Sequence, residues 1–180
     1  MVEDWAKVST KIQHYSSSNN PLRRMFLNKR YVQASVAFLR AGRKREATIC
    51  DAYLLREKAR SIPTITIAAR IQAFVTAANA FVTCAQDSPS KQVKERLAYY
   101  GTAGECYSEA RNLKKAGDSY RMGEQYAAAA RTYREGGYFD ELTEVITRHG
   151  SSIDSDLLER LRKVAQMYYF KVHFHEYHIF

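Results

Sequence analysis

Proline is scarce in this chain, three in 180 residues, and glycine is limited to eight. So few backbone breakers, in a sequence rich in Ala, Leu, Tyr, Arg and Lys, argue against the turn-dense connections of an all-β protein and point to an all-α one. Cys50, Cys84 and Cys106 are odd in number, far apart and each set in an apolar helical pattern. That spacing excludes a disulfide frame and a zinc motif and predicts reduced, buried thiols. No uninterrupted apolar stretch approaches ~18 residues and none follows a basic start, so neither a secretory leader nor insertion into a membrane is expected. The expected compartment is cytoplasm or nucleus. The glycines never fall as G-x-x-x-x-G-K-[ST], which leaves no loop for a nucleotide's phosphates.

What the chain does have is repetition. Tyr107, Tyr120 and Tyr133 are thirteen residues apart, and the next step of the same ruler is Ile146. Three residues after each Tyr stand Ala110, Gly123 and Gly136; six after stand Leu113, Tyr126 and Phe139; nine after stand Ala116, Ala129 and Leu142. A large residue, a small one, a turn and a returning apolar pair are what short antiparallel helices need. Because each unit cannot bury its own apolar face, neighbours must stack, giving an α-solenoid of about eight or nine short helices. The same ruler fits Met25, Asn28, Tyr31 and Ala34, leading to Phe38 and Ala41. It predicts a helix from Pro21 to Asn28, a turn at Lys29 and Arg30, and a return from Tyr31 to Ala41 stopped by Gly42.

Composition and length fit one domain with a real core. Residues 1–20 read as a short helix (Trp5, Val8, Ile12, Tyr15) and a polar linker, residues 21–172 as the helical repeat domain and residues 173–180 as a His-rich tail. Within the domain a helix is expected from Lys44 to Arg60, with Ala47, Cys50, Tyr53, Leu54 and Ala59 facing inwards. The cleanest apolar stripe follows, Ile67, Ile71, Phe74, Val75, Ala78, Phe81, Val82 and Ala85. Ser88 and Pro89 are expected to cap and open the next helix, and Ser151 to Asp154 to form a capping box before the last.

The stretch from Tyr100 to Gly123 resembles a tetratricopeptide (TPR) repeat. Tyr100, Ala103, Gly104, Tyr107, Leu113, Ala116, Tyr120 and Gly123 occupy the eight positions that this family fills with large or small residues. The physical logic is that Gly104 and Ala116 let helices approach while Tyr107 and Tyr120 fill the space beside them. The thirteen-residue step departs from the family's repeat of about 34 residues, so the array is TPR-like rather than a regular TPR. Over residues ~21 to 171, segments such as LNKRYVQASVAFLRAGRKREATICDAYLLREKARS and LAYYGTAGECYSEARNLKKAGDSY resemble the helical repeat region of large fungal proteins that also carry a UvrD-like superfamily 1 helicase. These are relatives of the TPR-and-ankyrin-repeat proteins. VHFHEYHIF, at the end, departs from that family. The resemblance implies a helicase-associated segment of a larger protein, with any ATPase activity elsewhere.

Function is expected to be non-catalytic. The cysteines lie among Ala, Ile, Phe and Tyr, where a thiolate is disfavoured, and His14 and His149 have no evident acidic partner. Asp140, Glu141 and Glu144 sit at a helix start, where carboxylates complement the dipole. His173, His175 and His178 are the one cluster with ligand chemistry, but a continuous helix sets the first two about 200 degrees apart. No metal site and no cofactor are expected. Tyr31, Tyr99, Tyr138 and Tyr169 are less constrained by the repeat and are candidates to line a concave binding face. Charge is the strongest functional signal: between Pro21 and Arg60 eleven cations stand against three carboxylates. Arg23, Arg30, Arg43, Lys44, Arg45 and Arg56 are the candidate partner-binding residues. The expected partner is a protein or peptide of acidic character, and the alternative is a nucleic-acid backbone gripped by an accessory region of a helicase.

Overall fold

The computed structural model describes residues 21–177, with side chains from 28 to 171. The side chain of Arg23 lies outside the described side chains, and the expected N-terminal helix at Trp5 to Tyr15, the Asn20 cap and His178 lie outside the described residues. Among them there are eight α-helices, one short 3-10 turn and no strand: α1 (Pro21–Arg40), α2 (Lys44–Ser61), α3 (Ile67–Gln86), α4 (Val93–Glu109), α5 (Leu113–Met122), α6 (Tyr126–Gly136), α7 (Phe139–His149), the 3-10 turn Gly150–Ser152, and α8 (Ser155–Tyr177). The all-α expectation holds. Two compact units divide within α3, the first ending at Ala77 and the second beginning at Ala78.

One hinge is built four times. A carbonyl on an aromatic residue (Phe38, Tyr107, Tyr120, Tyr133) accepts the amide five residues on (Arg43, Asn112, Gln125, Tyr138) at 2.8 to 2.9 Å. The residue between, Gly42, Arg111, Glu124 or Gly137, is left-handed, with φ of 57 to 75°. This is the Schellman-type ending, which satisfies helix carbonyls that have no partner further along. The residue whose amide donates then caps the next helix with φ near −90° and ψ of 62 to 73°. Nine residues after the aromatic, Ala47, Ala116, Ala129 and Leu142 are buried to 1% exposure or less. The thirteen-residue ruler in the sequence is therefore the period of a chain reversal.

The turn expected at Lys29 and Arg30 does not form, and α1 runs unbroken from Pro21 to Arg40. Each real hinge has Ala or Gly three residues after its aromatic (Ala41, Ala110, Gly123, Gly136), whereas the Met25 ruler puts Asn28 there. With Lys29 and Arg30, both good helix formers, following it, nothing stops the helix. Two capping expectations are also corrected. α4 starts at Val93 behind Gln92, while the Ser88 hydroxyl donates back to the Cys84 carbonyl at 2.7 Å. The cap of α8 is Asp154 itself, whose Oδ1 accepts from the Leu157 amide at 3.1 Å, not a box begun by Ser151.

In the first unit, α1 packs on α2. Tyr31 stacks on Tyr53 with ring centroids 5.6 Å apart, beside buried Ala47, Ile49, Cys50 and Ala59. Leu54, expected inside, is half-buried.

In the second unit, α4 to α8 pack each on the next, and α6 to α8 enclose a core of Tyr133, Leu142, Val145, Ile153, Leu157 and Leu161. Glycines make the close approach possible. A Cβ on Gly104 would stand 2.7 Å from Cδ1 of Tyr120, and one on Gly117 would overlap the ring of Tyr133. Thirteen residues separate both the two glycines and the two rings, so socket and knob share the hinge's period.

α3 is long and apolar enough to cross a membrane by length and composition. It also carries Arg70, Gln72, Asn79 and Gln86, and buries Phe74, Ala77, Ala78, Phe81, Cys84 and Ala85. Ile67, expected on its inward stripe, is exposed.

Candidate functional site

The two units differ in charge. Side chains from residue 28 to 77 hold ten Lys or Arg against Glu46, Asp51 and Glu57, a balance of +7. Residues 78 to 171 hold fourteen cations against thirteen carboxylates, or +1.

In the second unit the charges bind one another across successive helices. Lys114 meets Glu141 and, at 3.8 Å, Asp118. Arg121 and Arg148 share Glu144 at 3.6 and 2.8 Å, and Arg111 meets Glu135 at 3.1 Å. The hydrogen bond from Lys114 holds the Glu141 carboxyl below its usual range, against partial burial. Burial works to lower the Lys114 ammonium, but the Glu141 hydrogen bond and the Asp118 charge outweigh it and raise it.

The unit's tyrosines are engaged as well. Tyr107 donates to Asn79 Oδ1 at 2.5 Å, Tyr133 to Asp118 Oδ1 at 2.7 Å and Tyr169 to Asp140 Oδ1 at 2.6 Å. Burial, then the Asp118 hydrogen bond and charge, push the Tyr133 phenol well up. His149 stacks on Tyr126 with centroids 3.8 Å apart. Asp140, Glu141 and Glu144 thus have structural partners.

In the first unit the arrangement is different. Inside it, Glu57 is 1% exposed and is held by Arg60 at 2.9 Å and Arg56 at 3.4 Å, with the Arg56 guanidinium over the Tyr53 ring. A buried carboxylate requires such partners. Burial raises the Tyr31 phenol, opposed by the Arg56 charge and aided by Glu57. The Tyr31 hydroxyl and the Asn28 amide oxygen are buried without a hydrogen-bond partner among the described residues.

Outside stand the remaining cations. Lys29, Arg30, Arg40 and Lys44 are exposed, and Arg45 is half-buried. Lys44 and Arg45 open α2, where the helix dipole disfavours positive charge and only Glu46 offsets it. Arg43 caps that helix and is bound by Glu46 through Nη2 at 2.7 Å and Nε at 3.0 Å, its guanidinium over Phe38. That hydrogen bond, against slight burial, lowers the Glu46 carboxyl.

Of the six sequence candidates, then, Arg30, Lys44 and Arg45 reach solvent, and Arg43 is half-committed to Glu46. Arg56 is 5% exposed and belongs to the core. Tyr31 and Tyr99, candidates for a binding face, are buried at 2% and 7%, Tyr31 by stacking on Tyr53 between α1 and α2. Tyr138 is half-buried under the Lys114 ammonium.

Sequence reasoning missed Val32, Val36 and Leu39, which are 46%, 41% and 55% exposed on α1. Their i, i+4, i+7 spacing falls wholly within the helix expected from Tyr31 to Ala41, but spacing alone does not tell an exposed apolar face from one packed on a neighbour. A shallow open depression lies at Gln166, Met167, Phe170 and Lys171 on α8. Among the described residues no group of three His, Cys, Asp or Glu side chains could hold a metal ion. The backbone at His173 and His175 is helical, which turns two such residues about 200 degrees apart.

No protein-family model, curated protein or solved structure matches the chain.

Proposed function

We propose that the chain is a non-catalytic protein-interaction scaffold, a TPR-like α-solenoid acting alone or as a segment of a larger protein, that holds a protein or peptide of acidic character on its first unit. The observation that carries this reading is the uneven charge. The described side chains of the first unit balance to +7 and those of the second to +1, and the first leaves Lys29, Arg40 and Lys44 without a carboxylate partner among the described residues. Cations kept uncompensated beside exposed apolar side chains suit an anionic partner that also brings apolar groups.

The repeated hinge supports a holding role, because stacked helices present long surfaces without needing a catalytic cleft. The same cations favour a second reading: an accessory region of a UvrD-like superfamily 1 helicase that contacts nucleic-acid backbone. Nothing in either reading requires ATP to bind here, and calorimetry with ATP tests this directly, since saturable micromolar binding overturns the non-enzymatic role.

A displayed peptide library, selected on the chain and counter-selected on the Lys29→Glu, Arg40→Glu, Lys44→Glu chain, separates the two. Enrichment of Asp- and Glu-rich segments that the reversed chain does not hold supports the scaffold. Absence of any enriched segment, together with tight, steeply salt-dependent binding of oligonucleotides, overturns it in favour of the second reading.

A further inference from the structure

We infer that the exposed face of α1 is a docking site for an amphipathic helix with acidic edges, a proposal that rests on the scaffold reading and names its partner class. Val32, Val36 and Leu39 stand at i, i+4 and i+7, one above another on a single helix face, and are exposed at 46%, 41% and 55%. This is the anchor spacing by which a helix is received on an apolar face. The stripe is not part of the core: it lies exposed beside the edge of α1 that buries Tyr31 and Ser35.

What covers it is indicated by charge. From Pro21 to Arg40 the helix has no carboxylate. Lys29 and Arg40, eleven residues or about three turns apart, lie almost in line along the solvent edge of the stripe. Both are exposed, and neither has an ion-pair partner among the described residues. The occupant therefore needs apolar anchors at helical spacing and carboxylates beside them to meet the two cations.

The exposed apolar pair on α8, Met167 and Phe170, makes a weaker case. Its helix mixes carboxylates with cations, and Lys163 is paired with Glu159 at 2.6 Å, so charge there points less sharply to one partner.

The probe is a synthetic helical peptide of about five turns with leucines at i, i+4 and i+7 and glutamates on both edges. One control has the same composition with the leucines dispersed around the helix, and another has lysines at the edges. Anisotropy titrations on the full chain should show saturable binding of the acid-edged peptide alone. Leu39→Asp, and separately Lys29→Glu with Arg40→Glu, should each weaken it by about tenfold or more, and the Lys/Arg reversal should transfer preference to the lysine-edged peptide. Because these positions are exposed, circular dichroism should show the fold retained, with Arg40→Glu in the last turn of α1 lowering the melting midpoint only slightly, and the milder Val36→Ser keeps the test open if Leu39→Asp disturbs the fold.

Equal binding of the dispersed-leucine control, or indifference to both sets of changes, overturns the proposal. So does sedimentation showing a dimer that Leu39→Asp dissolves, since a second copy would then be the occupant. If library-selected acidic segments still bind the Leu39→Asp chain in full, this site fails while the scaffold stands. If only oligonucleotides bind, both fail.

Discussion

Tyr120 fills the space in which Gly104 would carry a side chain, with Cδ1 2.7 Å from where the Cβ would stand. The pair joins α4 to α5, and Gly117 with Tyr133 repeats it between α5 and α6. Gly104→Leu should therefore overpack the contact and destabilise the fold by ~1 to 3 kcal/mol. Gly117→Ala should act in the same direction. Thermal or urea unfolding measures it, and a midpoint equal to that of the wild type would mean that the ring is not seated against the glycine.

The left-handed hinge positions make an opposite prediction. Arg111 and Glu124 hold φ of 57°, a conformation that favours glycine. Arg111→Gly and Glu124→Gly should each stabilise the second unit by about 0.5 to 1 kcal/mol, and Gly137→Ala should cost a similar amount. For Arg111 the gain is read against loss of the exposed Glu135 pair, which is worth little. Denaturant midpoints decide, and loss of stability on Glu124→Gly would show that the hinge is not as described.

Two carboxylates set an acid limb. Glu46 and Glu141 are lowered by hydrogen bonds from Arg43 and Lys114. A carboxyl lower in the folded than in the unfolded chain stabilises the fold above its unfolded value, about 4.3, and that stability is lost as pH falls through the folded value. Stability should fall below about pH 4.3, and Glu46→Gln and Glu141→Gln should each flatten that limb while leaving the region around neutral pH parallel to the wild type. Equilibrium denaturation at stepped pH shows whether they do.

At the start of α2, stability and binding should trade against each other. Lys44 sits in the first turn, where the helix dipole opposes it, so Lys44→Glu should add about 0.3 to 1 kcal/mol while weakening capture of acidic segments. Melting and peptide titration on the same sample check both. A variant that gains neither stability nor loses affinity would show that Lys44 is an ordinary solvated residue.

If nucleic acid is the partner, log affinity should fall with log salt at about −0.9 per phosphate contact on duplex DNA and about −0.7 on single strands. From the available cations the slope should lie between about −3 and −6, becoming shallower for Arg43→Ser, Lys44→Ser, Arg45→Ser and varying little with base sequence. Micromolar or weaker binding at physiological salt, unmoved by the triple change, removes this reading.

How far the sequence reveals the molecule depends on which interactions are local. The hinges at Tyr107, Tyr120 and Tyr133 are legible because aromatic, small residue and returning Ala or Leu lie within ten positions of one another. The false hinge at Met25 shows the limit, since thirteen-residue spacing without a small third residue continues as helix. Arg56 could not be separated from Lys44 in the sequence: what moves it inside is Glu57, and only packing shows that Glu57 is buried. Tyr31 and Tyr99 were lost to the core for the same reason. The Val32, Val36 and Leu39 stripe is plain within the expected Tyr31 to Ala41 helix, but an apolar face of that spacing is normally a packed one, and only the structure shows it exposed.

Hinge, glycine socket and aromatic knob all recur at the same interval, so thirteen residues form a module that can be copied or excised whole. Joining Ala110 directly to Glu124 would leave Tyr107 followed at the proper distances by a left-handed residue, a cap at Gln125 and the buried Ala129, and would bring Tyr133 to Gly104 in place of Tyr120. Loss of twelve or fourteen residues would instead turn the next helix by about 100 degrees and face its polar side inwards. A gene encoding such an array can change length in steps of thirteen codons, and folding yield across a deletion series should show that interval.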